Sequence, residues 1–251
     1  IRKMTDALAW RRKFGVMGPS TNTIVQPDFD DLRVPGVTNH YSRILVKDGT
    51  IATDAQFMAL TRGIADNVIH AVRSVMTCAP EYLVMGMSAV TFYDGKKGSD
   101  EFLDRIESEA NVKASIGSHS CTAALNAYGG IKRISFVSPY YPSANAEVKQ
   151  YFADNGFETV RDINLQCPSA IAISEVPESR LIEVLHELDG PDVDAIVQVG
   201  TNMSMMRLAH SAEKWLKKPV IAINAATYWH ALRANGITDK IHGFGRLLEE
   251  F

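Results

Sequence analysis

The chain has 251 residues, of which 46% are hydrophobic and 22% are charged, so it can bury a substantial core and divide into two compact lobes. Lys and Arg number 26 against 29 Asp and Glu, and the net charge of -3 argues against a basic face and therefore against a nucleic-acid partner. The longest apolar runs are far shorter than the ~20 residues that cross a bilayer, so we expect no membrane partner.

Apolar runs bounded by turn residues predict eight strands. They lie near residues 13–18, 41–46, 82–86, 112–117, 133–138, 158–163, 194–199 and 219–223. Amphipathic stretches predict seven helices near residues 53–77, 98–110, 119–128, 143–155, 178–188, 204–216 and 226–235. Because strands and helices alternate, the expected fold class is α/β, with mostly parallel sheets flanked by helices.

Two pairs of segments repeat between the halves of the chain. Residues 81–92 and 194–205 share an acidic start, a short apolar run and a glycine before small polar residues. Residues 14–23 and 134–145 share an apolar strand that runs through a proline into Ser, Thr or Asn. Spacings of ~110–120 residues suit a duplicated domain rather than a solenoid.

The duplication predicts two pseudo-symmetric lobes. We place the first lobe at residues 1–115 plus 225–251 and the second at residues 116–224. No low-complexity linker separates them, so the lobes are expected to pack together around an active-site cleft.

The three cysteines are odd in number and have no metal-like spacing. They are Cys78, Cys121 and Cys167. This pattern favours reduced thiols over a disulfide framework. The sequence therefore predicts a cytoplasmic location and no metal site.

Neutral hydrogen-bond donors follow many of the predicted strands. At the carboxyl ends of parallel strands, loop amides and helix N-termini converge and favour anions such as carboxylates. Donors of this kind hold a carboxylate without a full ion pair, which indicates a small acidic substrate. The alternative is that these Ser, Thr and Asn residues only cap the helices that follow. The loops are 19–23, 86–88, 118–122, 139–141, 200–202 and 224–227.

Five motifs follow one another along the chain. They are Pro19-Ser20-Thr21-Asn22-Thr23, Asn39-His40-Tyr41-Ser42-Arg43, Met85-Gly86-Met87-Ser88 with Phe92-Tyr93-Asp94-Gly95, Pro139-Tyr140 with Asn145, and Gly243-Phe244-Gly245-Arg246-Leu247. In this order they resemble the maleate cis-trans isomerases and arylmalonate decarboxylases of the aspartate/glutamate racemase superfamily. The resemblance implies two pseudo-symmetric parallel-sheet lobes, a small carboxylate substrate, a homo-oligomer, and neither a metal nor an organic cofactor.

The chain departs from that family at two positions. Racemases and maleate isomerases of the superfamily carry a cysteine after the third strand of each lobe, whereas arylmalonate decarboxylases keep only the second. Here these positions fall at Gly86 and Gly200, and glycine cannot act as a base or a nucleophile. The glycines are expected to leave extra room for a bulkier substrate or a bound water.

Three other residues are candidates for the catalytic chemistry. Cys121 and His119 lie in the loop after the fourth strand, and a thiol near a histidine can have a lowered pKa. Alternatively, Cys121 is a small buried hydrophobe and His119 a capping residue. The third candidate is Tyr140, which the family resemblance implies as a hydrogen-bond donor to a substrate carboxylate.

The resemblance also implies Asn22 as a carboxylate-binding residue. Neutral donors and glycines of the strand-end loops complete the predicted binding set. They are Ser20, Gly86, Met87, Ser88, Thr122, Asn145, Gly200, Thr201 and Asn202.

These residues leave three functions open. The first is a cofactor-independent isomerase or decarboxylase (lyase) that acts on a small dicarboxylic acid or its derivative, with oxyanion-binding loops and non-standard acid/base residues. The second is a hydrolase or another lyase that uses a positioned water. The third is a non-catalytic binding protein for a small acid.

Overall fold

The computed structural model describes residues 6–47 and 49–251 of the chain. In these ranges, eight strands form two four-stranded parallel sheets. The strands are β1 (Arg12–Pro19), β2 (Val37–Ile44), β3 (Tyr82–Met85), β4 (Ala114–Ser115), β5 (Arg133–Ser138), β6 (Glu158–Asn164), β7 (Ala195–Gln198) and β8 (Val220–Ala222). One sheet has the order β2-β1-β3-β4 and the other the order β6-β5-β7-β8. The predicted two-lobed α/β fold is therefore confirmed.

Helices connect the strands and cover the sheets. They are α1 (Val25–Asp31), α2 (Asp54–Met76), α3 (Gly95–Ala110), α4 (Gly117–Tyr128), α5 (Pro142–Asp154), α6 (Glu178–Leu188), α7 (Met206–Leu216), α8 (Ile223–Ala234) and α9 (Arg246–Glu250). All seven predicted helices are present. The short helices α1 and α9 were missed, because one or two turns bury too few residues to give an apolar periodicity. Two short 3₁₀ helices lie at Ala89–Phe92 and Ala172–Glu175.

The long helix α2 begins where the sequence predicts. The hydroxyl of Thr53 accepts a hydrogen bond from the N–H of Gln56, and the Gln56 side chain accepts one from the N–H of Thr53. This capping box satisfies amides that the first turn leaves unpaired. One face of the helix, including Phe57 and Ile64, is buried.

The second strand begins at Val37 rather than near residue 41. It lies at the edge of its sheet, beside β1 only. Asn39 and His40, in the middle of the strand, are only half-buried. An edge strand of this kind lacks the continuous apolar run of a central strand, so the sequence pattern identified only its carboxyl end.

The two halves of the chain share a hydrophobic core. One cluster of buried residues includes Phe14 of β1 and Phe136 of β5. Helix α8 follows the last strand of the second sheet but packs against β3, β4 and α1, and its Tyr228 ring lies 5.8 Å from that of Phe14. The exact lobe boundaries stay a prediction. No helix within the described ranges is long and apolar enough to cross a membrane.

Candidate active site

A cavity of about 70 Å³ lies at the carboxyl ends of β1, β3, β5 and β7. This volume has room for several water-sized groups, because one such group needs roughly 10–15 Å³. None of the residues that line it, all within the described ranges, is a Cys, His, Asp, Glu, Lys or Arg. The lining residues are Pro19, Thr21, Asn22, Ile51, Phe57, Leu60, Thr61, Ile64, Met87, Ser88, Ala89, Pro139, Tyr140, Ala170, Ile173, Gly200, Thr201 and Asn202.

One part of the wall carries hydrogen-bonding side chains from both halves of the chain. The Nδ2 of Asn22, after β1, donates to the hydroxyl of Thr201, after β7, at 3.2 Å. The Thr201 hydroxyl donates in turn to the carbonyl of Gly86 at 3.1 Å. The Oδ1 of Asn202 accepts from the N–H of Thr23 at 3.0 Å. These bonds hold the strand-end loops of the two lobes in one fixed arrangement.

Arg43 supports the loop that carries Asn22. Its Nη2 donates to the carbonyls of Ser20 and Asn22, at 2.7 and 2.9 Å. The Oδ1 of Asn22 accepts from the N–H groups of Ile24 and Val25, each at 2.9 Å. The backbone carbonyl and the Oδ1 of Asn22 are therefore both held in place, and its Nδ2 group is free to bond Thr201.

A pair of hydroxyl groups lies at the centre of the site. The hydroxyl oxygens of Ser88 and Tyr140 are 2.5 Å apart, and both residues are buried. Burial raises the pKa of the Tyr140 phenol, and the hydrogen bond with Ser88 opposes that shift in part. Tyr140 is therefore protonated at neutral pH. Its ring packs beside that of Phe57, with 5.4 Å between the ring centroids.

The backbone supplies further donors. Among residues 6–47 and 49–251, no group accepts a hydrogen bond from the N–H of Met87, Ser88, Thr201 or Asn202. All four residues line the cavity. Unpaired N–H groups at such loops are suited to binding an oxyanion, because their dipoles are already fixed in place.

The other part of the wall is apolar. Phe57, Leu60 and Ile64 come from the apolar face of α2, Ile51 comes from the loop before α2, and Ile173 comes from the 3₁₀ helix Ala172–Glu175. The sequence predicts this face only as the apolar side of an amphipathic helix, because apolar residues at helical spacing have the same pattern in a core and in a cavity wall. The contributions from Ile51, Ala170 and Ile173 give no sequence signal that distinguishes them from ordinary packing.

Seven of the predicted site residues line this one cavity. They are Asn22, Met87, Ser88, Tyr140, Gly200, Thr201 and Asn202. Two others support the loops from outside it. Ser20 exchanges hydrogen bonds with the backbone of Val46, and Asn145 accepts from Ser138 while its Nδ2 donates to Asp162 at 2.8 Å.

Cys121 and His119 do not line the cavity. The Cys121 thiol is completely buried in the core, and burial raises its pKa, whereas a reactive thiol needs a lowered one. His119 contacts Asp100 at 2.9 Å and stacks beside the ring of Tyr151, and burial lowers the pKa of His119. Thr122 bonds the hydroxyl of Tyr151 at 3.0 Å. These positions argue against catalytic roles for Cys121 and His119, and against Thr122 as a substrate contact.

Neighbouring atoms fill the positions that side chains at Gly86 and Gly200 would occupy, which corrects the expectation that the glycines leave extra room. A Cβ atom at Gly86 would lie 2.5 Å from Cγ1 of Val25. A Cβ atom at Gly200 would lie 2.4 Å from Cδ of Pro139. Gly200 also has a φ of +101°, which residues with a side chain rarely adopt. The glycines allow close packing of the loops rather than room for a water.

The model of the arylmalonate decarboxylase family matches residues 54–248. The chain belongs to this family. A maleate isomerase of Nocardia farcinica is 26% identical over 256 residues, which cover 95% of this chain and 96% of that relative. A maleate isomerase of Geobacillus stearothermophilus is 25% identical over 120 residues, which span 47% of this chain and only 48% of that relative.

Solved structures of two kinds share the fold. The Nocardia farcinica maleate cis-trans isomerase bound to TRIS has a TM-score of 0.84 at 18% identity, and the match covers 95% of this chain and 98% of that one. A double-substitution variant of arylmalonate decarboxylase in the liganded form has a TM-score of 0.82 at 18% identity, with coverage of 96% and 100%.

Proposed function

We propose that this protein is a cofactor-independent decarboxylase of small dicarboxylic acids in which both carboxylates are attached to one carbon. The observation that carries the proposal is the composition of the cavity wall. Neutral hydrogen-bond donors occupy one part of the wall, and aliphatic and aromatic side chains occupy the other. Among residues 6–47 and 49–251, none of those that line the cavity is a thiol or a charged group.

One carboxylate of the substrate binds at the polar part of the wall. The N–H groups of Ser88, Thr201 and Asn202 and the hydroxyl of Tyr140 are the available donors. They stabilise the negative charge more strongly as it grows on the carboxylate oxygens in the transition state, which is how such donors lower a barrier.

The second carboxylate lies against the apolar part of the wall, near Leu60, Ile64 and Ile173. These side chains provide no hydrogen bond to a carboxylate. A carboxylate held in such surroundings is poorly solvated, which raises its free energy. Its departure as uncharged CO₂ removes this cost. The two parts of the wall therefore favour cleavage of one C–C bond over the other.

Tyr140 is the proposed proton donor. When CO₂ departs, the electron pair of the broken C–C bond moves into the remaining carboxylate and forms an enediolate. Tyr140 transfers its hydroxyl proton to the α-carbon, which gives the monocarboxylate and a phenolate. Ser88, 2.5 Å away, hydrogen-bonds this phenolate until a solvent proton restores the phenol. The sum consumes one proton for each CO₂ released.

A cis-trans isomerase acting on an unsaturated dicarboxylic acid is the second candidate, and the maleate isomerase relatives favour it. Such a reaction needs a nucleophile that adds to the double bond before rotation. The Ser88 hydroxyl, beside Tyr140, is the group that the cavity offers for this step.

A substrate screen tests these alternatives. The protein is incubated with malonate, 2-alkylmalonates, 2-arylmalonates and maleate, and products are followed by proton NMR. Decarboxylation yields the monocarboxylate from at least one malonate. Conversion of maleate alone supports the isomerase, and saturable binding of these acids without turnover supports a small-acid binding protein.

We further propose a cytoplasmic location and a homo-oligomeric assembly without nucleic acid. Cys78, Cys121 and Cys167 are free thiols, which fits a reducing compartment. The net charge of -3 gives no general attraction to nucleic acid. Light scattering coupled to size-exclusion chromatography measures the assembly, and a monomer at all concentrations would remove that part of the proposal.

A further inference from the structure

Asn224 lies behind the substrate-binding loop after β7, outside the set of residues that line the cavity. It belongs to the first turn of α8 and is only 3% exposed. Its Nδ2 donates to the carbonyl of Thr201 at 3.0 Å and to Oδ2 of Asp28 at 2.8 Å. The side chain therefore joins the loop to helix α1.

The bond to Thr201 fixes the direction of a backbone amide. The carbonyl of Thr201 and the N–H of Asn202 belong to one peptide unit. No peptide bond within the described ranges is cis, so the C=O and N–H of this planar unit point in opposite directions. With the carbonyl held towards Asn224, the Asn202 N–H points away from Asn224. That N–H has no acceptor among residues 6–47 and 49–251, and Asn202 lines the cavity.

The orientation of Asn224 depends on Asp28. An ionised carboxylate only accepts hydrogen bonds, so it faces the NH₂ group of Asn224 rather than its oxygen. The Oδ1 of Asn224 is buried and has no hydrogen-bond partner in the described chain. A protonated Asp28 carries an O–H group that can donate to Oδ1 of Asn224. The side-chain amide of Asn224 must rotate for this bond to form. The rotated amide would then turn its oxygen towards the Thr201 carbonyl, and two acceptors would face each other.

Few charged groups surround Asp28. Asp31 on the same helix raises the pKa of Asp28, and Arg207 of α7, which pairs with Asp31 at 2.7 Å, lowers it. On the neighbouring elements, Asn224 of α8 bonds Asp28, whereas Tyr228 of α8 donates to Asn39 and Tyr41 of β2 donates to Asp30. Burial is the largest influence and raises the pKa of Asp28 to about 6.

We propose that Asn224 is a positioning residue that fixes the Thr201–Asn202 peptide with its N–H towards the substrate, and that ionised Asp28 holds Asn224 in this orientation. The proposal rests on the proposed function only for the identity of the bound anion. Loss of the Asp28 charge releases the peptide, so binding of an acid should weaken as the pH falls through about 6.

The test follows the backbone amide of Asn202 by ¹H–¹⁵N NMR in the full-length protein, which requires no turnover. In the native protein this resonance should shift with a midpoint near the Asp28 pKa of about 6. Asp28→Asn removes the group that titrates, so this variant should abolish the pH-dependent shift of the Asn202 resonance. Asp31→Asn is the matched control on the same helix, and it should retain the titration with a lower midpoint, because Asp31 raises the pKa of Asp28.

Asn224→Ala should move the Asn202 resonance at every pH and weaken malonate binding about tenfold, the effect of losing roughly one hydrogen bond to a charged group. If Asn224→Ala fails to fold, the proposal is judged by the pH titration of the Asn202 resonance in Asp28→Asn alone. A titration that persists in Asp28→Asn, or an unchanged Asn202 resonance in folded Asn224→Ala, overturns the proposal. Absence of decarboxylation with the expected titration would refute the proposed function and leave this positioning role intact.

Discussion

The hydroxyl groups of Ser88 and Tyr140 meet at 2.5 Å across the boundary between the two halves of the chain. Ser88 follows β3 of the first sheet, and Tyr140 follows β5 of the second. The contact places a neutral phenol beside a second hydroxyl, in a cavity that no charged residue of the described part of the chain lines. In the proposed mechanism this phenol is the proton donor, because neither strand-end glycine can supply a proton.

Tyr140→Phe removes this donor while it keeps the ring. We expect malonate binding to weaken by roughly 1–2 kcal/mol, because one hydrogen bond to a charged group is lost. Turnover should fall at least ~100-fold, as general acid catalysis contributes that much. Steady-state kinetics and calorimetry measure the two effects. Tyr151→Phe is the control, since its hydroxyl is also buried but bonds Thr122 away from the cavity. Equal activities of the two variants would remove Tyr140 from the mechanism.

Cys121→Ala should keep its turnover. The thiol is completely buried in the core, its pKa is raised, and it is not among the residues that line the cavity. Its removal is expected to affect thermal stability, because it leaves a small void, and not kcat. A loss of ~100-fold in kcat with an unchanged fold would restore the catalytic thiol that the sequence suggested.

Gly200→Ala should destabilise the protein by on the order of 1–3 kcal/mol. The added Cβ atom would lie 2.4 Å from the Pro139 ring, and the backbone of residue 200 has a φ of +101°. Both the steric overlap and the backbone strain destabilise the folded state. Gly129→Ala is a matched control, since Gly129 has a φ of +70° but nothing within 4 Å of the added atom. The difference between the two unfolding free energies in urea isolates the clash. Equal values would mean that the Pro139 turn moves aside freely.

The ionisation of Asp28 gives a pH-dependent contribution to stability. Its pKa is about 6 in the folded state against an ordinary value of 3.8, so the folded state binds the proton more tightly. Stability from this group is therefore present at low pH and is lost as the pH rises from about 4 through about 6. At pH 7 the penalty is at most on the order of 3 kcal/mol, because each pKa unit corresponds to about 1.4 kcal/mol and the side chain is partly exposed.

Asp28→Asn removes that penalty, so the variant should be more stable than the native protein at neutral pH. The advantage should shrink as the pH falls below the Asp28 pKa of about 6. Urea unfolding at several pH values measures it. A constant difference between the two proteins across this range would contradict a raised pKa at Asp28.

The sequence was sufficient for the sheets and for much of the polar wall. Central strands are continuous apolar runs, and the loops that follow them end near one another in a parallel sheet, so Asn22, Ser88, Tyr140 and Thr201 were predictable as neighbours. The start of the edge strand β2 was predicted too late, because its middle residues are only half-buried and it lacks a continuous apolar run.

Three features of the site were not predictable. Phe57 and Leu60 form a cavity wall, but their helical spacing is the same as that of ordinary core residues. The space beside Gly86 and Gly200 depends on where Val25 and Pro139 pack. The burial of Cys121 depends on which face of α4 meets the core, and the four residues Ser118 to Cys121 are too few to define that face.

The most direct test of the proposed chemistry follows ¹³C-carboxyl-labelled malonates in D₂O. We expect equal amounts of labelled CO₂ and monocarboxylate, with one deuterium at the α-carbon, because the proton that Tyr140 transfers comes from solvent. Tyr140→Phe should slow both products together. Conversion of maleate to fumarate with no CO₂ from any malonate would contradict the account and favour isomerisation through Ser88.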